Sequence, residues 1–171
     1  VAIGNEAMQS SDNTGGSEYS YSYNTAVGSQ AFADITTGTY NSGLGWQAGN
    51  DLTTGDKNVI IGYKAGRDLT TSNLNVLIGS QAGYNLTTDS GNQGRNIAIG
   101  DDTSFADVDD DRSIIIGHNT VGKGDNQTII RGNGGIYNSQ NSTTWDTTSD
   151  ERIKKNIVNN NTGLDILNQI Q

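Results

Sequence analysis

A 17-residue repeat restricts what this chain can fold into more than any other feature of its sequence. Four full copies follow at constant spacing: NTAVGSQAFADITTG from Asn24, NSGLGWQAGNDLTTG from Asn41, NVIIGYKAGRDLTTS from Asn58 and NVLIGSQAGYNLTTD from Asn75. A fifth copy begins at Asn96 and a sixth at Ser113, and VAIGNEAM and QTIIRGN (127–133) are partial copies. Repeats this short bury little apolar surface alone, so they are stable only when neighbouring copies stack.

The repeat unit favours β-structure over helix. It is too short for a helical hairpin, and its glycine and β-branched content opposes helix formation. Each copy offers two short strand segments, such as NVLIG and QAGYNLT in the copy that begins at Asn75, separated by Gly or Asn. The sequence therefore predicts an all-β fold, a β-solenoid in which each copy forms one coil. Equivalent residues would stack at the inter-strand spacing of about 4.8 Å.

Three kinds of residue recur in phase, and each predicts a column along the solenoid. The aliphatic residue immediately before the glycine that recurs in each copy is expected to form an internal ladder: Val27, Leu44, Ile61, Ile78, Ile99 and Ile116. The glycines that follow are expected where the backbone has positive φ or approaches a neighbouring coil closely: Gly28, Gly45, Gly62, Gly79, Gly100 and Gly117. The asparagines that open the copies are expected to form side-chain ladders that hold turns.

Composition limits the function classes. Only 32% of the residues are apolar and 23 are glycine, so stacking or oligomerisation must supply part of the buried surface. A net charge of −9 disfavours binding to nucleic acid or to anionic membranes. The chain has no cysteine, and no apolar run approaches the length of about 20 residues that spans a bilayer. No motif indicates a cofactor.

The segments NTAVGSQA, NSGLGWQA and NIAIGDDT resemble the head repeats of trimeric autotransporter adhesins and of many phage tail fibres. The resemblance covers residues 1 to about 133. It implies a left-handed β-roll and a homotrimer in which three chains pack around a common axis. The longer unit and its Leu-Thr-Thr arm depart from the family motif, so the coil cross-section is expected to differ.

Two insertions interrupt the repeat and are candidates for contact loops. The first contains SSDNTGGSEYSYSY, in which Tyr19, Tyr21 and Tyr23 alternate and so share one face of a strand. These rings and Trp46 are candidate receptor-binding residues because exposed aromatics stack on sugar rings; packing against a neighbouring coil or chain is the alternative for the tyrosines. The second insertion lies around residues 89–94.

Neither acidic nor histidine residues predict a metal site. Asp107, Asp109, Asp110 and Asp111 form a dense acidic run, but DVDDD lacks the glycine and terminal glutamate of a calcium-binding loop. A solvated turn is therefore favoured over a cation site. His118 is the only histidine, and without cysteine or a second histidine it cannot assemble a zinc site.

The C-terminal part has a different character. Residues 134–148 read as a linker or last strands, and Thr162 is expected to cap a short helix over LDILNQI. Between them, SDERIKKNI resembles the start of the endosialidase-type intramolecular chaperone domain, so 149–171 is expected to be a truncated start of that domain. The resemblance implies self-cleavage between Thr148 and Ser149. Ser149 would be the nucleophile and Lys154 its general base, with Asp150 in support. An ordinary capping box, Thr148-x-x-Glu151, is the structural alternative.

The two resemblances together predict a structural and adhesive protein. We expect the distal segment of a homotrimeric phage tail fibre, located in the virion tail and outside the cell. Its partners would be other tail proteins and a host surface glycan or outer-membrane protein. The alternatives are a bacterial trimeric surface adhesin and a tailspike depolymerase acting on capsule polysaccharide. No turnover activity is expected beyond the single self-cleavage.

Overall fold

The computed structural model describes residues 1–9, 23–87 and 94–131, all of which belong to one compact unit, Val1–Ile136. Ten short strands occur in these ranges: β1 (Ala2–Ile3), β2 (Thr25–Val27), β3 (Ser42–Leu44), β4 (Val59–Ile61), β5 (Val76–Ile78), β6 (Ile97–Ile99), β7 (Thr103–Ser104), β8 (Ile114–Ile116), β9 (Thr120–Val121) and β10 (Thr128–Ile130). No helix is present in the described ranges. The all-β prediction is confirmed for this part of the chain.

One parallel sheet runs the length of the unit. Its strand order is β1-β2-β3-β4-β5-β6-β8-β10, and neighbouring strands pair so that equivalent repeat residues lie side by side. β7, which follows β6 in the chain, pairs in parallel with β9, which follows β8, and these two strands form a separate sheet. Strands that pair in parallel at one repeat per step are the signature of a solenoid, and this confirms the β-solenoid prediction. We number the coils 1 to 6 from Asn24, Asn41, Asn58, Asn75, Asn96 and Ser113.

The aliphatic ladder predicted to be internal lies on the outer side of the sheet. Its members stack in register, but Leu44 is 50% exposed and the other five are only half-buried. The buried column is one residue earlier in each coil: Ala26, Gly43, Ile60, Leu77, Ala98 and Ile115. The prediction was wrong because strand side chains alternate and the first residue of each copy, asparagine, points inward. That orientation turns the fourth residue outward.

The asparagine column is a continuous buried hydrogen-bond ladder, as predicted. In each step the backbone N–H of one asparagine donates to the side-chain oxygen of the asparagine one coil before it, as in Asn58 N to Asn41 Oδ1 at 2.9 Å and Asn75 N to Asn58 Oδ1 at 2.9 Å. The amide nitrogens donate to carbonyl groups of the turn that ends the same coil, such as Asn41 Nδ2 to Gly55 O at 2.8 Å. These bonds satisfy polar groups that would otherwise be buried without partners.

The glycine column confirms both expectations. Gly45 has φ of 136°, and a Cβ built on it would collide with the backbone carbonyl of Gly62 in the next coil. The same collision recurs from Gly28 through Gly100. Only glycine allows the coils to approach at this bend.

The second half of coils 1 to 4 consists of tight turns rather than the second strand predicted for segments such as QAGYNLT. In coil 4 the backbone has φ of 53° at Gln81 and 62° at Gly83, values that a strand cannot contain. Neighbouring coils are still joined there, for example by Thr53 N donating to Thr70 O at 2.8 Å. Strands β7 and β9 form only in coils 5 and 6, where the Ala-Gly pair is replaced by Thr-Ser and Thr-Val.

Core volume is shared between two positions of the coil. Where the inward strand residue is small, as in Ala26, Gly43 and Ala98, a buried phenylalanine is present in the same or the adjacent coil: Phe32 or Phe105. A Cβ added to Gly43 would lie 2.7 Å from the Phe32 ring. Close packing along the axis is thus kept although individual side chains differ in size.

Candidate functional site

Two pairs of stacked aromatic side chains lie on the surface of coils 1 to 3. The Tyr23 and Tyr40 rings are 4.7 Å apart at 7°, and the Trp46 and Tyr63 rings are 5.1 Å apart at 24°. Their exposed fractions run from 40% for Trp46 to 73% for Tyr23. Each pair joins equivalent residues of consecutive coils, so the solenoid spacing itself brings the rings into stacking distance.

The Trp46–Tyr63 pair belongs to a longer column at the residue that follows the bend glycine. Along the axis this column, which we call the bend column, contains Ser29, Trp46, Tyr63, Ser80, Asp101 and His118. Backbone hydrogen bonds hold it in register, including Lys64 N to Trp46 O at 2.9 Å, Gln81 N to Tyr63 O at 2.7 Å and Asp102 N to Ser80 O at 2.9 Å. The bend column therefore has one side chain per coil at a constant spacing.

A cation accompanies the aromatic pair. Lys64 Nζ lies 5.1 Å from the Trp46 ring centre and 5.4 Å from the Tyr63 ring centre. Because the two ring centres are themselves 5.1 Å apart, the ammonium group is shared between the rings and does not lie beyond the outer face of either one. Both contacts are within the range in which a cation is attracted to an aromatic ring.

Of the predicted receptor-binding residues, Tyr23 and Trp46 are exposed, but they belong to different pairs. Tyr19 and Tyr21 lie outside the described residues. Sequence reasoning missed Tyr40 and Tyr63, the partners of Tyr23 and Trp46. Aligning the copies column by column would have found them, since each partner occupies the equivalent place one copy later.

An aliphatic surface covers the outer side of the parallel sheet. It consists of Val27, Leu44, Ile61, Ile78, Ile99 and Ile116, with a second row of Val59, Val76, Ile97 and Ile114 in coils 3 to 6. We call this surface the outward stripe. Contiguous apolar surface of this kind commonly marks an interaction site.

Carboxylates also stack in a column. Asp34, Asp51 and Asp68 occupy equivalent places in coils 1 to 3. The pKa of Asp51 is raised, first by burial and then by the charges of Asp68 and Asp34, with partial compensation from Arg67. Arg67 donates through Nε and Nη2 to Asp68, so the column carries one directly bound cation.

The acidic run near residue 110 does not form the solvated turn that the sequence predicts. Asp107 is exposed, but Asp110 and Asp111 are 3% and 2% exposed. Ala106 N donates to Asp110 Oδ2 at 2.8 Å, while burial raises the Asp110 pKa. Arg112 Nη2 lies 3.2 Å from Asp111 Oδ2, an ion pair that leaves both buried oxygens without a hydrogen bond in the described ranges. Asn96 Nδ2 donates to Asp110 O at 2.6 Å, so the asparagine ladder holds this turn against the core.

Within the described ranges, no three acidic, histidine or cysteine side chains are placed to hold a metal ion. His118 Nδ1 instead lies 3.1 Å from Asp101 Oδ2, and both side chains are exposed. The same ranges contain no helix that is long and apolar enough to cross a membrane. The predicted cleavage residues Ser149, Asp150 and Lys154 lie outside the described residues.

Comparison with known proteins returned no matching family model, no matching curated protein and no matching solved structure.

Proposed function

We propose that this chain is a structural and adhesive segment of a homotrimeric fibre, the distal part of a phage tail fibre that attaches to the host bacterial surface. The observation that supports the proposal is the outward stripe on a rod built from stacked coils. The repeat motif NTAVG, NSGLG and NIAIG, with its resemblance to adhesin heads and tail fibres, supplies the biological context.

The outward stripe is more apolar than we expect for the exposed surface of a monomer that contains so few apolar residues. From coil 3 onward both outward residues of each strand are aliphatic, although only 32% of the chain is apolar. Leaving these side chains in water forfeits about 25 cal/mol for each Å² that a partner could cover. Copies of the same chain are the simplest occupants, because three identical rods around one axis each present the same face.

The hydrogen-bond ladders suit such a rod to a mechanical role. The asparagine ladder joins coils 1 to 6 through the core, and threonine side chains add bonds at the surface, such as Thr70 Oγ1 to Thr87 O at 2.8 Å. Because each coil is bonded to both neighbours, bending requires many bonds to be disturbed together. A stiff spacer that carries surface contact residues fits attachment at a distance.

Placing charges on the outward stripe should abolish the trimer. We expect light scattering to give three times the chain mass for the wild type and a monomer mass for the double variant Ile61→Lys and Ile78→Lys, since six lysines cannot be buried at one axis. The matched control, Thr37→Lys with Thr54→Lys, adds the same charge at exposed residues away from the strands and should stay trimeric. A monomeric wild type, or a trimer that survives both lysines, would contradict the proposal.

The proposal includes self-release of the C-terminal chaperone. Lys154 accepts the proton of Ser149 Oγ as this oxygen attacks the carbonyl carbon of Thr148, and the C–N bond between Thr148 and Ser149 breaks as the amine of Ser149 takes up a proton. Water then hydrolyses the ester that joins Thr148 to Ser149 Oγ, which leaves a free carboxyl group on Thr148. In the full-length protein, intact mass should show a product ending at Thr148, and Ser149→Ala or Lys154→Ala should prevent its formation. Ser142→Ala, in the preceding polar stretch, is the control that should leave processing unchanged. Normal processing in both Ser149→Ala and Lys154→Ala would remove the assignment.

A further inference from the structure

The bend column contains a gap one coil deep, and its boundaries are defined by backbone pairing. Tyr63, Ser80 and Asp101 stand in consecutive coils, because Gln81 N donates to Tyr63 O and Asp102 N donates to Ser80 O. Two coil steps separate Tyr63 from Asp101, roughly 9 to 10 Å at the spacing of paired strands. Ser80, with the smallest side chain of the three, lies between them. The space over Ser80 therefore has about the thickness of one additional ring.

One wall of this gap is an aromatic face. Trp46 covers the face of Tyr63 that points toward coil 2, at 5.1 Å between ring centres. Lys64 Nζ is about as close to the Trp46 ring centre as to the Tyr63 ring centre, so it does not cover the face of Tyr63 that is turned away from Trp46. The Tyr63 side chain is 48% exposed. Its uncovered face points along the axis toward the space over Ser80.

The opposite wall and the floor are polar. Asp101 has a side chain that is 54% exposed, with one carboxylate oxygen 3.1 Å from His118 Nδ1. Ser80, which carries a hydroxyl group, is half-buried and is the residue of the column between Tyr63 and Asp101. The gap thus combines a flat apolar wall with a hydrogen-bond acceptor across from it and a hydroxyl below it.

We propose that the gap over Ser80 binds a neutral pyranose ring of a surface polysaccharide. A pyranose has an apolar face of C–H groups, which stacks on Tyr63, and hydroxyl groups, which donate to the Asp101 carboxylate. A purely aromatic guest has no hydroxyl group for the Asp101 oxygen that His118 does not contact, and an acidic sugar would place its carboxylate near that of Asp101. The proposal rests on the proposed function, because it identifies the host ligand as a saccharide and assigns its contact site.

The site lies outside the strands that carry the outward stripe. The bend glycine separates Tyr63 from β4 and Ser80 from β5, so the backbone changes direction between the stripe and the gap. Trimer formation and sugar binding therefore use different residues. They can be tested independently.

The test is a substitution that fills the gap with a ring from the protein itself. The column already contains tyrosine in coil 3, so Ser80→Tyr suits the fold and continues the Trp46–Tyr63 stack. The probe is an array of oligosaccharides built from glucose, galactose and mannose and from their uronic acids, followed by titration calorimetry on the glycan that binds best. We expect the wild type to retain neutral glycans and Ser80→Tyr to bind them at least about tenfold more weakly.

Ser29→Tyr is the matched control. It places the same ring in the same column on the other side of the aromatic pair, and the gap over Ser80 stays open, so affinity should remain within about twofold of wild type. Asp101→Asn should weaken binding less than Ser80→Tyr, since an amide oxygen still accepts a hydroxyl. Equal affinity of Ser80→Tyr and wild type, loss of affinity in Ser29→Tyr, a preference for uronic acids or an absence of glycan binding would each overturn the proposal.

Light scattering on the same samples distinguishes failure of the saccharide-site proposal from failure of the proposed function. If the wild type and the Ser80→Tyr variant are both trimers and attach equally well to bacterial cells, the saccharide site is wrong and the fibre proposal is retained. If the wild type is a monomer and attaches to no cell, both the saccharide site and the fibre proposal are wrong.

Discussion

Replacing Asn58 by alanine is expected to lower the free energy of unfolding by about 3 kcal/mol or more. Asn58 Nδ2 donates to Asn41 Oδ1 and to Ser72 O, each at 3.0 Å, and Asn58 Oδ1 accepts from Asn75 N at 2.9 Å. The residue is fully buried. Alanine therefore leaves a backbone N–H and a carbonyl group without partners where no water reaches, and each such group costs roughly 1 to 3 kcal/mol.

Urea unfolding at fixed protein concentration measures the effect, since any linkage to oligomerisation depends on concentration. Asn50→Ala is the control: Asn50 Nδ2 makes a single 3.2 Å bond to Gln30 O in a half-buried place, and its loss should cost about 1 kcal/mol or less. Asn58→Ser should fall between the two, because Ser113 occupies the equivalent place in coil 6 and donates from Oγ to Gly124 O at 2.9 Å. Equal losses for Asn58→Ala and Asn50→Ala would show that the ladder is not a main source of stability.

Truncating Phe32 is the second large effect, with an expected loss of about 3 to 5 kcal/mol for Phe32→Ala. The ring is fully buried and lies against the backbone of Gly43 and Gly49. The fold cannot close the space by moving a coil, because the asparagine and glycine columns hold the coil spacing. Thermal or urea unfolding with a matched truncation of a half-buried aromatic residue outside the outward stripe, Tyr84→Ala, gives the comparison.

A double-mutant cycle tests whether Phe32 and Gly43 share one core volume. Gly43→Ile alone should destabilise, since its Cβ would lie 2.7 Å from the Phe32 ring. Combined with Phe32→Gly, it recreates an arrangement found in coils 2 and 3, where the small turn residue Gly49 faces the large strand residue Ile60 of the next coil. We expect the double variant to be more stable than the sum of the single losses predicts, by at least about 1 kcal/mol. Additive losses would mean that the two sites are filled independently.

Stacking order could be predicted from the sequence because it depends on repetition alone. For four copies at a 17-residue spacing, the arrangement that gives every copy the same contacts is the one in which equivalent residues align. The asparagine ladder and the close approach at Gly45 followed from the same logic, since a residue that recurs in phase meets its own copy. The stacked pairs Tyr23–Tyr40 and Trp46–Tyr63 follow from the same logic, because each partner occupies the equivalent place one copy later, but aromatic residues recur in only two copies of each column and give a weaker signal.

Orientation required the tertiary structure. Periodicity shows that Ile60 and Ile61 lie on opposite sides of a strand, but both are aliphatic, and their order does not reveal which one is inside. The buried asparagine decides it, and its burial is stabilised by hydrogen bonds to the neighbouring coil and to the turn that ends its own coil. The acidic run is a second case. Four carboxylates in five residues indicate a solvated turn, yet Asp110 is buried with Ala106 N donating to it.

By itself, then, the sequence determined the coil length, the register of the columns and the glycine bends. Each of these follows from a local conformational preference that recurs at the same place in every copy. Tertiary structure alone decided which aliphatic row faces outward and that the bend column leaves a gap between Tyr63 and Asp101. Both depend on distances between residues a coil or more apart. Such distances are set by backbone bonds between coils and not by the chemistry of any single repeat.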